Sequence, residues 1–134
     1  MSHEDVKIVR SIFKAWERGD FRAVDWAHPE TEFGWMDGPS PGRWKGLEAL
    51  SEAWGEWLQA WADFRAAADE YRTLAQGRVL ALNSFGGRGR TSGVGVGDLM
   101  TRGASVFCLD GERVTRLDLY WDRDRALVDL GLKE

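Results

Sequence analysis

Ala104-Ser105-Val106-Phe107-Cys108-Leu109-Asp110-Gly111-Glu112-Arg113-Val114 joins an apolar run, an Asp-Gly turn signal and the start of a second extended run. Asp-Gly favours the tight turns whose twist suits antiparallel strands, so the segment predicts a hairpin between strands over 99–109 and 113–121. Gln76-Gly77 repeats the signal upstream, between extended stretches over 64–74 and 78–88. Connections this short imply an antiparallel sheet and exclude parallel β-α-β crossovers. Val79-Leu80-Ala81-Leu82 and the run from Ala104 to Leu109 are apolar at both parities, so both faces of the central strands are expected to be covered.

The chain ahead of this sheet reads mainly as helix. Val6, Val9, Phe13 and Trp16 recur at helical spacing, and Gly19 follows as a stop. Asp20 is placed to cap a shorter helix through Trp26, which His28-Pro29 ends because the residue before proline avoids the α region. Residues 31–36 alternate as a strand, and the Gly- and Pro-rich stretch 37–42 reads as a rim loop. Leu47, Leu50, Trp54, Trp57, Leu58 and Trp61 share one stripe of a long helix. Asp122 caps a short closing helix that stops near Gly131. Helices followed by strands give an α+β domain over 1–134, a curved antiparallel sheet with helices gathered on its concave face. No further element remains for the other face, so Leu80, Leu82, Ala104 and Val106 are expected to be buried in a homodimer through the outer sheet face.

At 134 residues, 43% hydrophobic and 30% charged, the chain supports one core and is short for two. Its net charge of −4, with Arg123 and Arg125 alternating with Asp122 and Asp124, argues against a nucleic-acid partner. No apolar run approaches a membrane span, and the start of the chain is too polar for a signal peptide, so a cytoplasmic protein with no membrane partner is expected. Cys108, the single cysteine, sits in an apolar run and reads as core. The eight tryptophans are the unusual feature, enough to fill a core or to line a ligand pocket.

In order and spacing, the chain resembles the nuclear transport factor 2-like superfamily, in particular its SnoaL-like and ketosteroid-isomerase-like branch. The carriers in the first half are Ala15-Trp16-Glu17-Arg18-Gly19-Asp20, His28-Pro29-Glu30 and Trp44-Lys45-Gly46-Leu47-Glu48-Ala49-Leu50. In the second half they are Arg88-Gly89-Arg90-Thr91-Ser92-Gly93-Val94, the segment from Val106 to Val114, and Tyr120-Trp121-Asp122-Arg123-Asp124-Arg125-Ala126-Leu127. The resemblance implies a cone-shaped, cystatin-like roll with a deep pocket, commonly dimeric, whose members include isomerases, hydratases, epoxide hydrolases, polyketide cyclases and pure binders. It implies no cofactor and no metal, in keeping with a chain whose histidines are His3 and His28.

The branch's catalytic sets do not carry over. The tyrosine donor, carboxylate base and protonated acid of ketosteroid isomerases fall on Ile12, Trp35 and Ser105. The arginine and carboxylates of limonene-epoxide hydrolases fall on Asn83, Phe85 and Leu119, with Asp118 beside the last but on the opposite face of its strand. The inward parity these comparisons suggest also takes in Val79, Ala81, Phe107, Leu117 and Trp121. Asn83 and Ser105 are then the hydrogen-bonding groups of an apolar pocket, each paired either with a neighbour or water, or with a ligand.

Trp35, Trp54, Trp57 and Trp121 are its candidate walls or plain core. Asp37 is a turn former or a catalytic carboxylate. His28 is a terminus or mouth residue, and Arg88, Arg90 and Arg102 are solvated or gather at the open end. The glycines at 86, 87, 89, 93, 95 and 97 lead into a strand and read as a hairpin connection or lid, since a dinucleotide loop needs a helix there. The expected ligand is a small apolar molecule. The expected function is a cofactor-independent isomerase, dehydratase or cyclase, or alternatively a noncatalytic binding module.

Overall fold

The computed structural model describes residues 2–18, 20, 25–37, 42–59, 61–74, 77–89 and 101–132, with the backbone alone at 2–4, 56–59, 61–65, 85–89 and 101. The elements run α1 (Ser2–Glu17), β1 (Ala27–Trp35), β2 (Gly42–Lys45), α2 (Leu47–Gln59), β3 (Trp61–Leu74), β4 (Arg78–Gly89), β5 (Thr101–Asp110), β6 (Arg113–Tyr120) and α3 (Arg123–Leu130). The six strands form one curved sheet in the order β2-β1-β6-β5-β4-β3. Gly77 and Gly111 make the two hairpin turns at φ of 70° and 65°, a region that disfavours side chains, and a Cβ on Gly77 would lie 2.9 Å from the Leu109 carbonyl.

The expected antiparallel pairs β3–β4, β4–β5 and β5–β6 are present. The sheet also contains a parallel pair, β1 on β6. Short connections do not bear on it, because most of the chain separates the two strands. The stretch 42–45, read as the end of a loop and the approach to a helix, is strand β2, antiparallel to β1. Trp61 belongs to β3 opposite Gly89 and not to the stripe of α2, which ends at Gln59. His28-Pro29 lies inside β1. The β1–β6 register is interrupted between Ala27 and Glu32, so the missing N–H of Pro29 breaks no ladder there. The short helix expected over 20–26 falls largely outside the described residues.

Helices α1 and α2 cover the inner face of the sheet. Val9, Ile12, Phe13 and Trp16 of α1 and Leu50, Ala53 and Trp54 of α2 join Phe33, Val79, Ala81, Phe107, Leu117 and Leu119 in the main core. Helix α3 turns the other way. Its Ala126 and Leu127 pack on Leu80, Leu82, Ala104, Val106 and Tyr120, on the outer face. The four residues expected in a dimer interface are therefore at most 5% exposed within a single chain, and their burial requires no second subunit. Asp122 caps α3 by accepting from the Asp124 N–H at 3.0 Å, and Gly131 ends it in the left-handed region. Among the described residues no helix is long and apolar enough to cross a membrane.

Candidate functional site

The inner face divides into two regions. At one end, rings pack on rings: Trp54 lies 5.0 Å from Phe33 and 5.7 Å from Trp16, which in turn lies 4.9 Å from Phe13 and 6.1 Å from Phe107 between centroids. Trp44 stacks on Phe33 and Trp26 meets Trp16 edge-on, extending the cluster to its rim. Edge-to-face pairs of this kind add to the stabilisation that burying the rings already supplies. Trp54 is thus held in the core as part of an aromatic packing unit. Trp16 lies at the centre of that unit although the sequence marked it only as a helix-face residue.

The other region is built from strand register. Ser105 lies opposite Ala81 on β4 and Leu119 on β6, and Leu119 lies opposite Trp35 on β1. Asn83 lies opposite Ala68 on β3 and Gly103 on β5, so small residues flank it on both sides. Asn83 and Ser105 are both 0% exposed, and the Ser105 hydroxyl donates to Asn83 Oδ1 at 2.9 Å. The second amide atom, Asn83 Nδ2, is buried with no hydrogen-bond partner. Leaving such a group unmatched costs about 1 to 3 kcal/mol. The rings of Trp35 and Trp121 meet edge-on at 5.7 Å, with Trp35 in the row of Ser105 across the intervening Leu119. Val79, Ala81, Phe107, Leu117 and Leu119 share the inner face with it. The side chains of Trp57 and Phe85 lie outside the described residues.

Behind the site, on the outer face, a bulge between Ala68 and Glu70 lets Ala68 and Tyr71 both pack on the inner core. The Asp69 carboxylate receives an N–H of Arg123 at 3.0 Å. The buried Arg123 guanidinium also donates to the backbone carbonyls of Asn83 at 3.0 Å and Gly103 at 3.1 Å. One arginine at the start of α3 therefore fixes the backbone of two strands directly under the amide. Nothing in the local sequence signalled this role, which depends on residues far apart in the chain.

Asp37 is occupied structurally. Its carboxylate accepts the backbone N–H groups of Trp121 and Asp122, tying the end of β1 to the entry of α3. Asp118 points to the outer face, where it pairs with Arg43 at 3.1 Å and Arg116 at 3.2 Å. His28 Nδ1 accepts the Glu30 N–H at 3.0 Å within β1. Arg102 is exposed next to the inward Gly103, whereas the side chain of Arg88, all of Arg90 and the glycines at 93, 95 and 97 lie outside the described residues.

The shifted titratable groups sit away from Asn83. Burial pushes the Cys108 thiol up, and Cys108 is partly buried rather than fully enclosed in the core. Burial, with the hydrogen bond to Asp129, pushes Tyr120 up to about 12 on the outer face. Burial also raises Tyr71, which packs edge-on against Phe13 with the Arg10 guanidinium 5.2 Å from its ring centre. Among the described residues no three His, Cys, Asp or Glu side chains gather as they would to hold a metal.

This geometry is that of the nuclear transport factor 2-like fold. A nuclear transport factor 2-like protein of unknown function from Burkholderia pseudomallei superposes with a TM-score of 0.76 at 17% identity, covering 93% of this chain and 95% of that one. TerC, co-crystallised with polyporic acid, superposes at 0.73 and 14% identity, over 95% and 97%. A protein from Catenulispora acidiphila with a ketosteroid isomerase-like fold, in complex with trimethylamine, superposes at 0.70 and 14% identity, over 95% and 94%. No protein-family model and no curated protein matches the sequence.

Proposed function

We infer that the protein binds a neutral, largely apolar small molecule against the inner face of its sheet, between the Asn83–Ser105 pair and the Trp35–Trp121 wall. The observation that carries this reading is the amide nitrogen of Asn83, fully buried and unmatched in an otherwise apolar surround. Native proteins rarely leave such a group without a partner unless something else supplies one. A charged ligand fits poorly, since among the described residues the polar groups at this spot are neutral, an amide, a hydroxyl and the indole N–H of Trp35, and a buried ion without a counter-charge costs several kcal/mol or more. Two structural neighbours, one holding polyporic acid and one trimethylamine, support small-molecule binding by this fold.

A cofactor-independent isomerase, dehydratase or cyclase is the second reading. It is favoured by the place of Ser105, which in the resemblance stands where ketosteroid isomerases keep an oxyanion donor. An amide and a hydroxyl stabilise developing negative charge but do not take a proton at neutral pH, so binding is the reading the described residues support better. A dimer through the outer face is not needed by either reading.

The test is titration with neutral polycyclic probes, followed by tryptophan fluorescence. Saturable quenching is expected, and Trp121→Ala should weaken binding about tenfold with an unchanged thermal midpoint, because the ring is a partly exposed wall. Binding confined to carboxylated or phosphorylated compounds would overturn the reading.

A further inference from the structure

Asn83 and Ser105 share one hydrogen bond, and its direction decides what the site offers. With the hydroxyl donating and the amide oxygen accepting at 2.9 Å, one polar atom is left unmatched, Asn83 Nδ2. Turning the amide over would leave two, the serine proton and the amide oxygen, both buried. An arrangement with fewer orphaned groups is the more stable one. The free group is thus an N–H donor with the amide plane fixed by Ser105, on a backbone pinned from behind by Arg123.

We propose that Asn83 Nδ2 is the group that orients the ligand, and that the ligand therefore presents a neutral carbonyl oxygen, of a ketone or quinone, on an apolar frame. The inference rests on the binding reading above and adds the polarity of its anchor. A donor-only ligand is disfavoured by the same geometry, because it would leave the Nδ2 donor unmatched. The flanking Ala68 and Gly103 leave no bulky side chain beside the amide in its own row of the sheet. Asn83 is fully covered, so a ligand that reaches it displaces the groups lying over it.

Three tricyclic probes of nearly equal size test this by equilibrium dialysis: fluorenone, which carries a carbonyl acceptor, fluorene, which has no polar atom, and carbazole, which carries an N–H donor. Fluorenone should bind the wild-type chain about fivefold to tenfold more tightly than fluorene, the ratio one net hydrogen bond gives, and carbazole no better than fluorene. Asn83→Leu, which removes the donor and adds no charge, should abolish the fluorenone preference and retain fluorene binding. Ser105→Ala, which frees the amide to turn, should reduce the preference without removing fluorene binding. If all three probes bind the wild type equally, the pocket stands and the donor assignment falls. Tightest binding of carbazole also overturns it, by making the site an acceptor. If none of the three binds, it is the small-molecule reading itself that fails.

Discussion

The two regions of the inner face are equally buried and hang on the same strands, yet they differ in what fills them. Around Trp16 and Trp54 each ring meets another at 4.9 to 6.1 Å, and such packing holds helices to sheet. Around Asn83 the side chains are small or polar, and one amide nitrogen has nothing to bond. Burial therefore does not separate a core from a binding site in this molecule. The kind of side chain does, rings at one end and small or polar groups at the other, and it shifts the functional emphasis from the most numerous tryptophans to two small polar residues.

The comparison predicts a graded set of effects. Trp16→Ala removes the centre of the aromatic packing and should cost about 3 to 5 kcal/mol in urea unfolding. A loss below about 1 kcal/mol would show that this end is loosely packed and would erase the contrast. Arg123→Met leaves two backbone carbonyls without their charged donor while Asp69, which is largely exposed, regains water. The expected loss is about 2 to 3 kcal/mol, together with a weaker fluorenone preference. A wild-type preference retained in this variant would mean that the brace behind Asn83 does not position it.

The double change Asn83→Leu with Ser105→Ala should be within about 1 kcal/mol of wild type or more stable, since it replaces both members of a buried polar pair by apolar groups. Binding selectivity should vanish at the same time. A loss as large as that of Trp16→Ala would place the pair with the structural core. The smallest effect belongs to Tyr120, on the outer face. Its pKa rises from 10.0 to about 12 on folding, so the stability it contributes is complete below pH 10.0 and is lost as pH climbs through about 12. Tyr120→Phe should flatten the alkaline unfolding curve in that window, lower stability slightly near neutrality through the lost hydrogen bond to Asp129, and not alter probe binding.

Much of the site's geometry was legible in the sequence because strand parity is a local property. Once 78–88 and 99–109 read as strands, Asn83 had to share a face with Ala81 and Ser105 with Phe107, and the family resemblance pointed both sets inward. Their hydrogen bond was not legible, since it depends on a register that places Ser105 opposite Ala81 and so brings Asn83 within reach diagonally. The role of Asp37 was also hidden. A carboxylate beside Gly-Pro looks like a turn former, and its partners, the N–H groups of Trp121 and Asp122, lie at the far end of the chain.

By itself the sequence determined the antiparallel hairpins and the amphipathic face of α1, because each follows from the spacing of consecutive residues, whereas the inward direction of the polar pair came from the family resemblance. Tertiary structure alone decided that β1 runs parallel to β6, that 42–45 forms a strand, and that α3 lies on the outer face over Leu80, Leu82, Ala104 and Val106. A hydrophobic pattern specifies that a face must be buried and not which element buries it. The outer strands needed a cover, and Ala126 and Leu127 provide one from within the chain, in the place where the pattern alone suggested a second subunit. The same competition distributed the tryptophans. Periodicity placed Trp54 on an apolar stripe, but the meeting of α1, α2 and β1 made it core and left Trp35 and Trp121 paired with each other away from that cluster.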